Sequence, residues 1–259
     1  MLERRELGRG IVALVSRPLE SAGFLVAFTE RSGGTSAAPY RSLNLSLATD
    51  DAPESVRENR RRACDALSIE RFATGEQVHG ARIGRVGPKR AGAGFEDRSD
   101  SVAGTDALLT TSRGVAIGVL VADCVPIALA DPQSGRLCVV HAGWREIAAG
   151  VVSTAIGAFP DPTSVRAAIG PAIGPDHYEV GQDVALAVSA ASAGGAVVAR
   201  RGNRIFLDLP GTVARILKER GVRRIEDAGL CTACETRRFF SHRRDGVTGR
   251  QALLALRLA

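Results

Sequence analysis

The chain has 259 residues, 45% of them hydrophobic, and carries a net charge of +6. This length and apolar content exclude a disordered protein and allow a core that folds without a disulfide or a structural metal. Five cysteines, an odd and small number for the length, argue against a secreted disulfide scaffold and favour reduced thiols in the cytoplasm.

The N-terminal segment is charged, and its apolar run at 11–15 is too short for the core of a signal peptide. No apolar stretch is long enough to cross a membrane. The basic residues are mostly arginine, but no nucleic-acid motif or interleaved aromatic residues accompany them. We therefore expect a cytoplasmic protein that binds neither membrane nor nucleic acid. No pattern predicts an oligomeric state.

Helix signals occur at three places along the chain. The first predicted helix follows an acidic cap at Asp51 and continues to Leu67 as an amphipathic helix. The second spans 144–159, and the third opens at Asp208 and ends near Gly221. The Gly-rich and Ser-rich stretch at 84–104 is expected to be a surface loop.

A β-hairpin is predicted in the middle of the chain. The run 115–130 is apolar and β-branched and predicts a strand with Asp123 and Cys124 in its middle. The short run 137–140 predicts its partner, joined by strong turn residues at 131–135. Strands and helices are mixed without a regular alternation, which favours an α+β or mixed α/β single domain over 1–259.

The hairpin brings two potential metal ligands together. If the turn is centred near residues 133 and 134, Cys124 lies opposite Gly143, and His141 is the diagonal neighbour at about 7–8 Å. A zinc ion could bridge the two, with His79 arriving from a separate loop, and a fourth position would remain open for catalysis. The alternative is a buried apolar thiol and an ordinary strand-end histidine, and spacing alone does not decide between them.

Eight short segments form an ordered series through nearly the whole chain. They are 29–34, 42–45, 77–80, 105–108, 122–127, 141–145, 170–175 and 239–246. Together they resemble the laccase-domain family of multicopper polyphenol oxidoreductases, also called the YfiH-like or purine nucleoside phosphorylase family. Some of its bacterial members are linked to the editing of peptidoglycan precursors.

The resemblance implies a fold, a metal site and a set of activities. The fold would be a layered α/β sandwich with two mixed sheets packed between helices. By motif, the zinc ligands would be His79, Cys124 and His141. The activities would be phosphorolysis of adenosine, inosine, guanosine and methylthioadenosine, and deamination of adenosine. The substrates would then be purine nucleosides and phosphate.

The sequence departs from the family pattern at five positions. Glu146 stands where the family usually has Gly, and His242 where it usually has Tyr. Ala172, Asp176 and His177 stand where Cys is common. None of these is a proposed ligand. The missing cysteines argue against a multicopper site, so zinc is preferred to copper.

Deamination requires a carboxylate that moves a proton while zinc activates water toward purine C6. Asp106, Asp123 and Glu146 are the candidates. Strand alternation would point Asp123 away from Cys124. An Asp beside a turn is also a common partner of backbone N–H groups.

Phosphorolysis requires cationic groups that hold phosphate, and arginine does this with paired hydrogen bonds. Arg31, Arg145 and Arg243 lie in the family-like segments and are the candidates. Asn44 and Gln77 are candidates to bind the nucleoside. Each of these side chains taken singly could also serve an ordinary structural role.

The preferred hypothesis is a zinc-dependent purine nucleoside enzyme. The alternative is a cysteine hydrolase or amidase that edits peptidoglycan precursors, with Cys124 as nucleophile and His141 as base. A copper polyphenol oxidase is less well supported, because four histidines and five cysteines supply few ligands for several copper ions. Cys231 and Cys234 form a Cys-x-x-Cys motif that could be a redox pair or half of a second zinc site. No second such motif accompanies it, and the pair is interpreted as structural or incidental.

Overall fold

The computed structural model describes residues 2–258, which form fifteen strands and seven helices. The strands are β1 (Glu3–Gly8), β2 (Ile11–Val15), β3 (Phe24–Thr29), β4 (Phe72–Thr74), β5 (Ile83–Arg85), β6 (Ala107–Thr110), β7 (Ala116–Val121), β8 (Val125–Asp131), β9 (Arg136–Ala142), β10 (Arg166–Ile169), β11 (Glu179–Val180), β12 (Val197–Arg201), β13 (Arg204–Asp208), β14 (Arg224–Asp227) and β15 (Gln251–Arg257). The helices are α1 (Arg17–Glu20), α2 (Pro53–Leu67), α3 (Trp144–Ala148), α4 (Val151–Gly157), α5 (Gln182–Ser189), α6 (Leu209–Glu219) and α7 (His242–Asp245). None of the helices in this range is both long and apolar enough to traverse a bilayer.

Two six-stranded mixed sheets form the centre of the molecule. The first has the order β1-β2-β3-β15-β7-β4, and the second has the order β14-β10-β8-β9-β6-β5. Each is largely antiparallel with parallel pairing at its edges, between β4 and β7 in the first sheet and at both ends of the second. A small third sheet, β11-β13-β12, packs outside them.

The two large sheets pack face to face and are covered by helices on their outer faces. In β15, Leu253 and Ala255 enter the apolar layer between the sheets, whereas Leu254 faces the layer that includes residues of α2. This alternation is that of a strand buried on both faces. Helices α3, α4 and α6 cover the outer face of the second sheet. The predicted mixed α/β, layered single domain is confirmed.

Two of the three predicted helices are confirmed. Helix α2 ends at Leu67 as predicted, but its N-cap is Ala52 rather than Asp51, which instead accepts hydrogen bonds from Ser36 and Asn44. Helix α6 is capped by the side chain of Asp208, as expected. The region 144–159 forms two helices rather than one, because Gly150 adopts φ +84° between α3 and α4.

The predicted long strand at 115–130 is wrong in one respect that matters for the site. The run divides into β7 and β8, which belong to different sheets. The division falls at Asp123, whose φ of 92° lies outside the strand region. The chain thus crosses between the two sheets at the position where the predicted ligand Cys124 stands.

Candidate metal centre

The β8–β9 hairpin brings Cys124 and His141 to the same end of the second sheet. Val125 pairs with Ala142 and Pro126 with His141. Continued by one residue, this register places Cys124 opposite Gly143, so the predicted pairing is confirmed. Both Cys124 and His141 line one cavity.

His79 reaches this cavity from a loop that is fixed by side-chain hydrogen bonds. The amide of Gln77 pairs with the backbone of Leu120 in both directions, at 2.9 and 3.0 Å. The backbone N–H groups of His79 and Gly80 donate to the carboxylate of Asp106 at 2.9 and 2.8 Å. Gln77 and His79 have φ values of 57° and 64°. Such left-handed conformations in residues other than glycine persist only where the surroundings impose them.

Four side chains converge at one side of the cavity, and we name His79, Asp106, His141 and Glu146 the cavity cluster. Each offers a ligand atom within 4.8 Å of the others. Glu146 Oε1 lies 2.8 Å from His79 Nδ1 and 2.7 Å from His141 Nδ1. Asp106 Oδ1 lies 3.5 Å from His141 Nδ1. The two imidazole rings are 5.6 Å apart between centroids.

The cavity cluster contains charged side chains that are buried from solvent. Asp106 and Glu146 are 1% and 0% exposed. Burial opposes their ionisation, but hydrogen bonds from His141 and, for Asp106, from Gly80 and His79 outweigh it and hold both carboxyl pKa values below the ordinary range. Burial likewise opposes charge on His141, yet the nearby Cys124, Asp106 and Glu146 raise its pKa well above the usual value. A metal ion bound here would take the place of the proton on His141 and would offset the charge of the two buried carboxylates.

Two buried atoms of the cavity cluster support the presence of a metal ion. Among the described residues, His141 Nδ1 and Glu146 Oε2 have no aligned hydrogen-bond partner. Unpaired buried polar atoms are costly and need an explanation. Two imidazoles, a neighbouring thiol and a carboxylate form a donor set that suits zinc.

Gly143 keeps space open between Cys124 and the cavity cluster. A Cβ atom on Gly143 would lie 2.8 Å from Cys124 Sγ and 2.9 Å from Glu146 Oε2. Any larger residue would therefore displace the thiol or the carboxylate. The helix α3 starts directly after Gly143, which explains how Glu146, in the first turn, reaches the two rings.

The cavity has a volume of about 490 Å³, within the range of small-molecule sites. Its wall includes Cys124, His141, Arg145, Tyr178 and Arg243. Burial raises the pKa of Tyr178 to about 12, with a further contribution from Cys124. Tyr178 therefore remains a neutral phenol at neutral pH.

Asp123 also lines the cavity, so the expectation that it faces away from Cys124 is wrong. Its positive φ breaks the alternation on which that expectation depended. Asp123 Oδ1 accepts from the hydroxyl of Thr232 at 2.5 Å, and Oδ2 accepts from the backbone N–H of Arg243 at 2.6 Å. Asp106 and Glu146 are not part of the cavity wall and stand behind the rings.

Two of the three predicted phosphate-binding arginines lie at the cavity. The guanidinium of Arg145 is 4.4 Å from the ring centre of Trp144, and no hydrogen bond to another described residue uses its donors. Arg243 stacks at 4.8 Å on Tyr178 and donates to the carbonyl of Glu179. Both side chains are exposed.

The other three candidate binding residues form hydrogen bonds within the fold. They are Arg31, Asn44 and Gln77. Arg31 donates to the carbonyls of Arg41 and Thr236 and lies outside the cavity wall. Asn44 is fully buried, and its amide binds the neighbouring loop, part of which lines the cavity. Gln77 does line the cavity, but both ends of its amide are used by Leu120.

Several residues of the cavity wall were not predicted from the sequence, and Tyr178 and Arg250 are two of them. Tyr178 lies three residues beyond the segment 170–175, so a longer segment would have included it. Arg250 lies just before β15 and donates to the carbonyls of Thr248 and Gly249. No local signal distinguishes it from the other arginines of this chain.

Comparison with known proteins identifies relatives over nearly the full length. A model of the family described as multi-copper polyphenol oxidoreductase laccase matches residues 25–257. The purine nucleoside phosphorylase YlmD of Geobacillus stearothermophilus is 36% identical in an alignment of 247 residues that covers 88% of this chain and 88% of that one. A purine nucleoside phosphorylase of Deinococcus radiodurans is 39% identical over 231 residues, covering 86% of this chain and 85% of that one. The crystal structure of YlmD from Geobacillus stearothermophilus superposes with a TM-score of 0.93 at 34% identity, covering 100% of both chains.

Proposed function

The chain belongs to the multi-copper polyphenol oxidoreductase laccase family, and on this premise we propose that it is a zinc-dependent purine nucleoside phosphorylase of the cytoplasm. One observation carries the proposal: a nucleoside-sized cavity places two arginines beside a cluster of metal-binding side chains in which two buried atoms have no aligned hydrogen-bond partner. The relatives named purine nucleoside phosphorylase support the reaction class. The substrates would be adenosine, inosine, guanosine and methylthioadenosine, with phosphate.

We assign the zinc to His79, Cys124 and His141. Glu146 contacts both rings and would fix their orientation, as carboxylates do for metal-bound histidines. Asp106 would hold the loop of His79 in place through two backbone N–H groups. A bound zinc ion would supply Lewis-acid chemistry at the cavity wall.

Phosphate binding is assigned to Arg145 and Arg243. Arg145 retains its donors, and Arg243 uses only one terminal nitrogen for the carbonyl of Glu179. Guanidinium groups bind phosphate through paired, charge-assisted hydrogen bonds. Held by these two groups, phosphate would attack the ribose carbon and displace the purine base.

Deamination of adenosine is assigned to the same cavity. Among the three candidates Asp106, Asp123 and Glu146, only Asp123 forms part of the cavity wall, which Glu76 also lines. The hydroxyl of Thr232 and the N–H of Arg243 donate to its two carboxylate oxygens and fix its position at the wall. We therefore assign the proton transfer of deamination to Asp123.

The geometry favours one ion over a set of several copper ions. The cavity cluster and Cys124 together provide two imidazoles, two carboxylates and one thiol. That number of donors satisfies a single ion. A copper polyphenol oxidase would need several such sets around the same cavity.

The test is to purify the protein without added metal, measure zinc and copper per chain, and incubate it with adenosine. We expect adenine only in the presence of phosphate, and inosine with or without it. Cys124→Ala should lose both activities, whereas Cys64→Ala removes a buried thiol of α2 that is not part of the cavity wall and should retain them.

A protein that contains no metal and converts no purine nucleoside would overturn this proposal. Turnover of a peptidoglycan-derived amide that is lost on alkylation of Cys124 would instead support the cysteine hydrolase. Copper in several equivalents per chain, with oxidation of phenols, would support the oxidase.

A further inference from the structure

A second group of metal-binding side chains lies outside the cavity, and we name His177, Cys231 and Cys234 the surface cluster. His177 Nδ1 lies 3.7 Å from Cys231 Sγ and 3.5 Å from Cys234 Sγ. All three ligand atoms lie within 4.8 Å of one another. His177 and Cys234 are exposed, and Cys231 is half-buried. The cluster borders a separate cleft of about 330 Å³.

The backbone holds the two segments of the surface cluster together without help from a metal. Ala172 and Cys231 form an isolated β-bridge, and the N–H of Thr232 donates to the carbonyl of Ala172 at 3.0 Å. The N–H of Gly174 donates to Cys231 Sγ at 3.2 Å. An N–H donor on sulfur stabilises a thiolate, the form that binds metals. The ligand atoms are therefore positioned before any ion arrives.

The distances agree with the edges of a zinc tetrahedron. With a Zn–S bond of about 2.3 Å and a Zn–N bond of about 2.05 Å, nitrogen and sulfur ligands at the tetrahedral angle lie about 3.6 Å apart. The two measured separations, 3.5 and 3.7 Å, lie on either side of this value. We propose that His177, Cys231 and Cys234 bind a second Zn²⁺, with a solvent molecule as the fourth ligand.

The chemistry of the three side chains favours zinc binding over a disulfide between Cys231 and Cys234. Two thiolates and one imidazole are the ligands that zinc prefers, and all five cysteines are free thiols in the structure. A disulfide would bring the two sulfur atoms to about 2.05 Å and leave His177 without a role. The imidazole within reach of both sulfur atoms distinguishes this cluster from an isolated Cys-x-x-Cys pair.

The second ion would connect two segments that form the wall of the main cavity. Thr232, between the two cysteines, donates its hydroxyl to Asp123. Tyr178, next to His177, lines the cavity and stacks with Arg243. Zinc at the surface cluster would therefore stiffen this wall while remaining outside the reaction.

The test measures metal content and thiol protection and needs no substrate. Wild-type protein saturated with Zn²⁺ and freed of excess should contain two zinc ions per chain by elemental analysis. Cys231→Ser with Cys234→Ser should contain one, Cys124→Ala should contain one, and the triple variant none. Cys64→Ser is the matched control and should retain two.

A second measurement on the wild-type chain covers the case in which a variant fails to fold. Iodoacetamide followed by peptide mass mapping should leave Cys231 and Cys234 unmodified in the zinc-loaded protein and modify both after chelation. Alkylation of both residues at the same rate with and without zinc would overturn the proposal. A disulfide between them in zinc-loaded protein, or one zinc per chain that only Cys124→Ala removes, would overturn it as well.

Discussion

The cavity cluster and the surface cluster use similar ligand types in opposite surroundings. Three of the four residues of the cavity cluster are buried, and it includes two carboxylates whose charges are compensated by His141 and by backbone N–H groups. The surface cluster is largely exposed and rests on thiols and a few backbone hydrogen bonds. The buried cluster adjoins a cavity with free arginines, and the exposed one adjoins none of them. This difference is the reason that we propose a reactive ion at the first position and a structural ion at the second.

Loss of one histidine from each cluster should separate these two roles most strongly. His141→Ala removes a ligand and leaves Glu146 and Asp106 buried without their compensating charge, so we expect nucleoside turnover to fall more than about 100-fold. His177→Ala should lower turnover less than about tenfold, through the position of Tyr178. The measurement is kcat/KM for adenosine with saturating phosphate. Equal losses of kcat/KM in His141→Ala and His177→Ala would contradict the proposal that the two clusters have different roles.

Glu146→Gln tests how the cavity cluster is supported. The substitution keeps the shape of the side chain and removes its charge, so both imidazoles lose the carboxylate that contacts them. We expect zinc affinity or activity to fall about 10–100-fold, as for other residues that orient metal ligands. Competition with a chromogenic chelator measures the affinity. Glu58→Gln, on an exposed face of α2, is the control and should bind zinc like the wild type.

Gly143→Ala tests the space beside Cys124. The new Cβ would lie within 3 Å of both Cys124 Sγ and Glu146 Oε2, so at least one of these side chains must shift. We expect about tenfold weaker retention of one zinc ion, with the fold intact. Gly157→Ala has no atom within 4 Å of its Cβ and should change stability by no more than about 1 kcal/mol. Unchanged zinc retention in Gly143→Ala would show that the ion does not depend on this space.

Removal of the surface cluster should affect stability more than chemistry. At a free zinc concentration about 100 times the dissociation constant, binding adds about 2.7 kcal/mol to the free energy of unfolding. At about 2–4 °C per kcal/mol, Cys231→Ser with Cys234→Ser should lower the Tm by roughly 5–11 °C. The comparison is a thermal scan in zinc and again in a chelator. The difference between the two proteins should vanish in the chelator, and its persistence there would refute a zinc origin.

Asp131, in the turn of the β8–β9 hairpin, lies outside both clusters. Its carboxylate allows a test of how pH changes the stability of the fold. Burial would raise the pKa of Asp131, but the hydroxyl of Ser134 and the N–H groups of Gln133 and Ser134 outweigh it and lower the pKa. The resulting stability is fully present above the unfolded-state pKa of about 4 and is lost as pH falls through the lower folded-state value.

Asp131→Asn should therefore cost at most about 1 kcal/mol at pH 7 and nothing near pH 2. Chemical denaturation at several pH values measures this difference, and zinc content at pH 7 should remain unchanged. A loss of zinc in this variant would show that the cavity cluster depends on the far end of the hairpin.

The sequence predicted the hairpin register because one turn of known length fixes every pair in an antiparallel ladder. That arithmetic placed Cys124 opposite Gly143 and near His141. The break at Asp123 was not predicted, because the apolar and β-branched pattern continues on both sides of it. Pro126 and the tolerance of Asp for positive φ were the signals available in the sequence. Helix 144–159 was predicted as one element, because its isolated Gly150 is compatible with a helix interior.

The surface cluster was beyond sequence reasoning for a different reason. His177 lies 54 residues before Cys231, and only the bridge between Ala172 and Cys231 brings them together. The same applies to Arg31, whose motif position suggested phosphate binding but whose guanidinium is used by backbone carbonyls. Contacts between distant segments decide both cases, and a single sequence does not encode them as a local pattern.

The most direct test of the account is the fate of the ribose when adenosine meets the zinc-loaded protein and phosphate. Phosphorolysis predicts ribose 1-phosphate in an amount equal to the adenine released, and neither product after Arg145→Ala with Arg243→Ala. Phosphorus NMR together with chromatography measures both. Adenine accompanied by free ribose, or no release of adenine at all, would contradict the assignment of this cavity to phosphate-dependent nucleoside cleavage.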